Sequence, residues 1–155
     1  MDIRLDAVKP HEKDALFRLL QYSLFEESAD DLNEMNDDAL FDYPWFELYF
    51  TDDDRWAYFI REEATDKLLG FVMVKTREKP LDGYMIAEFM VLPGYRRRGV
   101  GRQAAIRCFE HFRGQWEVSP ALGSEPAYRF WKRTIDGYTD GKCRFQDRAF
   151  LFSNV

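Results

Sequence analysis

The sequence predicts an α/β fold in which one mixed β-sheet carries helices on its faces. Three observations lead there. Short segments alternate or run apolar with the period of a strand, longer ones repeat apolar residues with the 3.6-residue period of a helix, and the two kinds interleave along the chain. At 155 residues and 46% hydrophobic, the chain suits one ordinary domain over residues 1–155 and is short for two. Its 14 Phe, 8 Tyr and 4 Trp suit a packed core and exclude a low-complexity chain.

Ile3 to Val8 (IRLDAV) alternates apolar and polar residues as a half-buried strand does, and Pro10 suits the first turn of a following helix. Leu16, Leu19, Leu20 and Leu24 set that helix's inward stripe. A second, less regular helix is expected in the acidic segment beyond, ending near FDYPWFELYF, where Pro44 interrupts simple periodicity. RWAYFIR (55–61) and LLGFVMVK (68–75) predict strands joined by a polar turn at EEATDK. YMIAEFMVL (84–92) predicts another, entered through Pro80 and the turn pair Asp82-Gly83. From Gly99 the period turns helical, with Ala105, Cys108, Phe109 and Phe112 on one face. A short strand around Trp116 to Val118 follows, then a helix striped by Ala127, Phe130, Trp131, Thr134 and Ile135 with Pro126 in its first turn. Asp140-Gly141 turns the chain into closing strands around AFLF.

Composition narrows the function. The longest apolar runs are broken by charge, and MDIRLDAVKPHEKD has neither a basic n-region nor an apolar h-region, so a cytoplasmic protein without a membrane segment is expected. Cys108 and Cys143 make neither a disulfide framework nor a zinc spacing. Cys108 sits in a helical stripe as core, and with His111 it offers only two ligands, so no metal is expected. A net charge of −6 argues against a nucleic-acid partner. Its distribution says more. Leu19 to Asp54 holds twelve carboxylates and no Lys or Arg, while all 22 basic residues lie elsewhere with the other 16 acids, setting −12 against +6. Such polarity suits a cation at one site and an anion at another, although a charge block is also a common solvated surface.

The sharpest motif is VLPGYRRRGVG, Val91 to Gly101, where three arginines precede a Gly-x-Gly and the start of a helix. A helix N-terminus already carries about half a positive charge, so cations there are unfavourable unless an anion joins them. A nucleic-acid patch, a pocket for a phosphate-bearing cofactor and a solubilising turn all contain such a run. Only the cofactor pocket explains both the glycines, which let a ligand approach the backbone, and the like charge beside the dipole. Arg96-Arg97-Arg98-Gly99-Val100-Gly101 fits the Arg/Gln-x-x-Gly-x-Gly/Ala signature, and AEFMVLPGYRRRGVGRQA is similar to the surrounding strand, loop and helix, of the GNAT superfamily of acyl-CoA N-acyltransferases. The chain resembles its small bacterial-type single-domain members over nearly its whole length. The resemblance implies a GNAT-like fold with a central mixed sheet of six to seven strands and about four helices. It further implies acetyl-CoA as cofactor, with the pyrophosphate held by Gly99, Val100, Gly101 and the neighbouring arginines Arg96, Arg97, Arg98 and Arg102. Met90 and Val91 would offer backbone groups to the pantetheine arm, and Ala127, Phe130 and Trp131 would complete the cofactor site.

Acetyl transfer to an amine requires the amine to lose a proton, the thioester carbonyl to be polarised and the thiolate to be protonated. Glu88, in the middle of an apolar strand and expected to share its face with Tyr84, Ile86 and Met90, is the candidate base; an edge glutamate or a structural ion pair would read the same. Similar family members often place an acid there. The amide of Val91 is a candidate donor to the carbonyl oxygen. The family commonly has Ala-x-x-Phe-Tyr in its last major helix, with the tyrosine as general acid. This chain has Ala127, Phe130 and Trp131 there, and indole cannot serve, which leaves Tyr128, another tyrosine or solvent. The family's acceptor site implies a pocket in the acidic segment: Tyr43, Trp45 and Tyr49 as walls, with Phe46 and Phe50, and Glu47 or Asp42 holding an ammonium group. The expected function is N-acetylation of a small-molecule or peptide amine, with the protein as monomer or homodimer. The alternative is a non-catalytic acyl-CoA-binding or sensing module of the same fold.

Overall fold

The computed structural model describes all 155 residues. Strand β1 (Ile3–Ala7) leads through a 3-10 turn at Pro10–Glu12 into helix α1 (Lys13–Asp31). The single turn α2 (Leu48–Thr51) precedes β2 (Arg55–Glu62), β3 (Leu68–Thr76) and β4 (Tyr84–Val91). Helix α3 (Val100–His111), β5 (Gln115–Val118), α4 (Glu125–Thr139), β6 (Arg144–Gln146) and β7 (Ala149–Ser153) complete the chain. The seven strands form one sheet in the order β1-β2-β3-β4-β5-β7-β6. Every pairing is antiparallel except β4 with β5, and that parallel pair needs the crossover that α3 supplies. No helix is long and apolar enough to cross a membrane.

β3 reads as an unbroken apolar run because both of its faces are covered. Val72 and Val74 point to the layer of α3 and α4, with Ile60, Ala104, Ala105, Cys108, Phe109 and Ile135. Phe71 and Met73 point to the layer of α1 and α2, with Leu16, Leu20, Phe41, Phe46 and Tyr49. The stripes expected on α1 and α3 are buried, and on α4 Trp131, Thr134 and Ile135 are buried while Ala127 and Phe130 are half-buried.

Two expectations need correcting. The irregular helix of the acidic segment is a loop that keeps only the turn α2. Side chains divert its backbone: Asn36 Oδ1 accepts from the amides of Asp38 and Leu40, Ala39 takes φ 59°, and the Gln21 carboxamide both donates to and accepts from the Phe41 backbone at 2.8 Å. The second concerns Glu88. Met73 pairs with Glu88 but Val74 with Ile86, so Ala87 is an extra residue in β4. This β-bulge breaks the alternation. Tyr84 and Ile86 face α3 and α4, whereas Glu88 turns with Ala87 and Met90 to the α1 face and meets Tyr43.

β4 and β5 pair only at Tyr84–Trp116 and Met85–Glu117. Beyond that they splay, and the far half of β4 presents an open edge. Gly70 lets β3 approach that half, because a Cβ there would sit 2.0 Å from the Met90 carbonyl oxygen.

Candidate active site

The open edge of β4 runs into the loop before α3. Arg97 at φ 63° and Gly99 at φ 80° curl that loop. No acceptor in the protein meets the backbone amides from Arg97 to Arg102, and the first intrahelical bond is donated by Gln103 to Gly99 at 3.1 Å. Six consecutive free amides at the positive end of a helix make a cradle for an anion. Free N–H donors beside the exposed Arg97 and Arg98 suit a multiply charged anion such as a pyrophosphate. The second glycine has another duty: a Cβ on Gly101 would meet the Phe130 ring at 2.9 Å, so its hydrogen lets α3 pack on α4.

The four arginines divide. Arg97 and Arg98 are exposed on the loop, the latter over the Tyr95 ring at 5.9 Å. Arg102 reaches across α4 to Gly137. Arg96 is engaged elsewhere: its Nε donates to the Val91 carbonyl at 2.8 Å, and its two terminal nitrogens hold both oxygens of Glu26 on α1. It straps α1 to the end of β4. Leu92 donates to Leu69 across the ladder, so alternation turns the backbone of Phe89 and Val91 to the splay and that of Met90 to β3. Phe89, not Met90, therefore joins Val91 on the open edge.

Glu88 is largely covered by α1 and the loop after it. The Tyr43 hydroxyl donates to its Oε2 at 3.2 Å. Burial, then the charges of Glu27 and Asp31, push its pKa up to about 8 against the lowering effect of Tyr43. Glu88 makes no ion pair. Tyr49 is buried beside Tyr43 with its hydroxyl lacking a hydrogen-bond partner, and burial raises the pKa of both phenols. Trp45 packs edge-on against Tyr43 at 5.4 Å and remains half exposed. Glu47 does not join them, since its carboxylate is bound to Lys13 at 2.7 Å, and Asp42 accepts from Asn36.

On α4, Phe130 and Trp131 pack on Phe89 at 5.8 and 4.9 Å, closing the far side of the splay. Ala127 lies in the first turn, where its amide donates to the Ser124 cap. Tyr128 packs on Phe145 and Phe150, over β6 and β7 rather than the open edge. Cys108 is fully buried, and burial alone pushes its thiol to about 12.

Glu27 and Asp31 on α1, whose charge raises the Glu88 carboxyl, were not singled out from the sequence. Burial first, then Asp31 and Glu26, push Glu27 to about 7. A signal existed: Leu16, Leu20, Leu24, Glu27 and Asp31 continue one helical stripe, so the two carboxylates point inward. An acidic block read as a block hides that period.

A family model described as Acetyltransferase (GNAT) family matches residues 21–135. No curated protein matches the chain in sequence. Among solved structures, the fold is similar to that of NAA60 from Arabidopsis thaliana in complex with acetyl-CoA, with TM-score 0.64 and 14% identity over 99% of each chain. Spermidine N-acetyltransferase from Vibrio cholerae, in complex with CoA and spermine, gives TM-score 0.61 and 10% identity over 97% of this chain and 95% of that one. The aminoglycoside 6'-N-acetyltransferase of Acinetobacter baumannii gives 0.59 and 12%, over 86% and 89%.

Proposed function

The chain belongs to the acetyltransferase (GNAT) family, and from that premise we propose that it moves an acetyl group from acetyl-CoA to an amine that arrives as a cation. The observation that carries this reading is the position of Glu88: a mostly buried, unpaired carboxyl on the strand whose open edge leads into six free amides. The neighbours solved with CoA or acetyl-CoA support the choice of cofactor.

Bound acetyl-CoA supplies the activated acyl carbon and a thiolate leaving group. The amides from Arg97 to Arg102, with the charges of Arg97 and Arg98, hold the pyrophosphate. Phe89 would offer its backbone groups to the cofactor's arm, and the Val91 amide, whose carbonyl is held by Arg96, would donate to the thioester carbonyl oxygen. Glu88 takes the proton of the incoming ammonium. A carboxyl held near 8 is a much stronger base than an ordinary glutamate, and the approaching cation favours its ionised form. Tyr43 keeps Oε2 in place. With Tyr128 turned to β6 and β7, the leaving thiolate would take its proton from water, and Tyr128→Phe should leave the rate of thiol release unchanged.

One observation favours a non-catalytic acyl-CoA sensor: Trp131, at the place where the resemblance to the family implies a tyrosine, is buried against Phe89. Thiol release from acetyl-CoA with a panel of amines decides between the two. Turnover that falls about 10²-fold or more in Glu88→Gln, with coenzyme A affinity retained, is expected. Tight coenzyme A binding without release for any amine would establish the sensor.

A further inference from the structure

Helix α1 carries apolar residues on two opposite sides. The inner side, with Leu16, Leu20 and Leu24, packs on the sheet. The outer side holds Ala15, Arg18, Tyr22, Phe25 and Ala29, continued by Leu32 at the helix cap, at alternating spacings of three and four residues. All six are exposed, with Tyr22 at 60%, Phe25 at 64% and Leu32 at 78%, so no other element of the chain covers them. That alternation is the spacing by which two helices meet along a left-handed seam, and a helix apolar on both sides is ordinarily covered on both.

Charge and side-chain size say what covers it. The last turn of α1 contains acids and no basic residue, so the negative end of the helix dipole lacks its usual cation. Arg18, the one cation of the seam, stands near the other end and has no acid partner: the ion pairs of α1 are Lys13 with Glu47 and Glu26 with Arg96. Laid antiparallel on a second α1, about a two-fold axis between Tyr22 and Phe25, the seam matches itself. Tyr22 then meets Phe25 of the partner subunit, Ala15 meets Leu32 of the partner subunit, and Arg18 crosses Ala29 of the partner subunit. Small side chains fall opposite large ones, and the guanidinium reaches the uncompensated helix end. The axis makes each crossing twice. A parallel pair would instead set Arg18 against Arg18 and bring the two acidic ends together, which like charge opposes.

We infer that the outer side of α1 is a homodimer interface, in which a second copy of this chain packs antiparallel along the seam from Ala15 to Leu32. The pairing is independent of the acyl-transfer reading, because the seam lies on the side of α1 turned away from the sheet.

Sedimentation equilibrium of the whole chain should show monomer and dimer in exchange with a dissociation constant of about 10–100 µM, since one helix pair lies at the small end of specific interfaces. Tyr22→Glu combined with Phe25→Glu should weaken the dimer by a factor of about 100 and leave the melting of the diluted monomer unchanged, because both side chains already stand in solvent. Ala29→Lys should also dissociate it, by setting a second cation against Arg18. Adding Arg18→Glu to Ala29→Lys in the same chain should restore the dimer, because each crossing of positions 18 and 29 then joins opposite charges. The two positions lie about three turns apart within one helix, so no contact inside a single chain mimics that rescue. A wild type that stays monomeric at ten times the expected dissociation constant, or a dimer indifferent to the Tyr22 and Phe25 substitutions, would overturn the proposal. So would a doubly substituted chain that melts like the wild type and remains dissociated.

Discussion

Glu88 meets two opposing demands, because the burial that raises its basicity also keeps it protonated in the empty site. Its carboxyl stands near 8 chiefly from burial and next from Glu27. The acid limb of kcat/KM should therefore lie near pH 8 rather than in the ordinary glutamate range. Removing the like charge with Glu27→Gln should move that limb to lower pH. A limb that stays in place would show that another group, such as the amine itself, sets it. Gly101 offers a second test at this scale. Its missing Cβ admits the Phe130 ring, so Gly101→Ala forces α4 to shift and should cost about 1–3 kcal/mol in denaturant unfolding. Coenzyme A affinity should fall less than stability, since alanine keeps the backbone amide that Gly101 gives to the cradle. The second glycine of the signature was legible in the sequence, but its packing duty was not, because the partner ring lies 29 positions away on another helix.

Among elements, the loop from Leu32 to Glu47 carries the substrate-side residues without regular structure of its own. Its fixed point is Gln21, a polar residue inside the α1 stripe whose carboxamide satisfies both backbone groups of Phe41. Gln21→Leu leaves both groups unpaired in a half-buried place and should cost about 2 kcal/mol. That lowers the melting temperature by about 4–8 °C for a chain of this size and raises proteolytic cleavage between Leu32 and Trp45. Unchanged cleavage would mean that Phe41 and Phe46 alone hold the loop. The regular strands and the helices α1, α3 and α4 were legible because their apolar periods are strong, and the cofactor loop was legible because strand, glycines and helix adjoin in sequence. The acidic loop and the β4 bulge were not. Each depends on a tertiary partner: a single side chain twenty residues away for the loop, and the two-against-one pairing with β3 for the bulge. That bulge decides which face Glu88 occupies, so strict alternation wrongly put Tyr84 and Ile86 beside it and kept only Met90 correctly.

Across the whole molecule the charge polarity of the sequence becomes a spatial one. The carboxylates of α1 lie on the face that α1 covers, the exposed arginines Arg97 and Arg98 stand on the loop after β4, and Arg96 ties that loop to α1 through Glu26. Concentrating acids in a covered cleft destabilises the fold, and the pH at which it does so can be derived. Glu27 and Glu88 have folded-state values of about 7 and 8 against 4.5 when unperturbed. Between those limits the folded chain holds more protons than the unfolded one, so stability declines as pH rises. The contribution is fully present below about 4.5 and is lost through 7 to 8. Glu78, which is exposed, and Asp136, which is partly exposed, have lowered values and act in the opposite sense at more acidic pH, both screened by solvent. The melting temperature should therefore fall from pH 5 to pH 8.5, and the double variant Glu27→Gln with Glu88→Gln should flatten that decline and melt higher than wild type at pH 8.5. A cation that binds the cleft should do the same for the wild type at alkaline pH and little at pH 5, because it binds the ionised carboxylates. Equal slopes in wild type and double variant would locate the pH dependence outside this cleft.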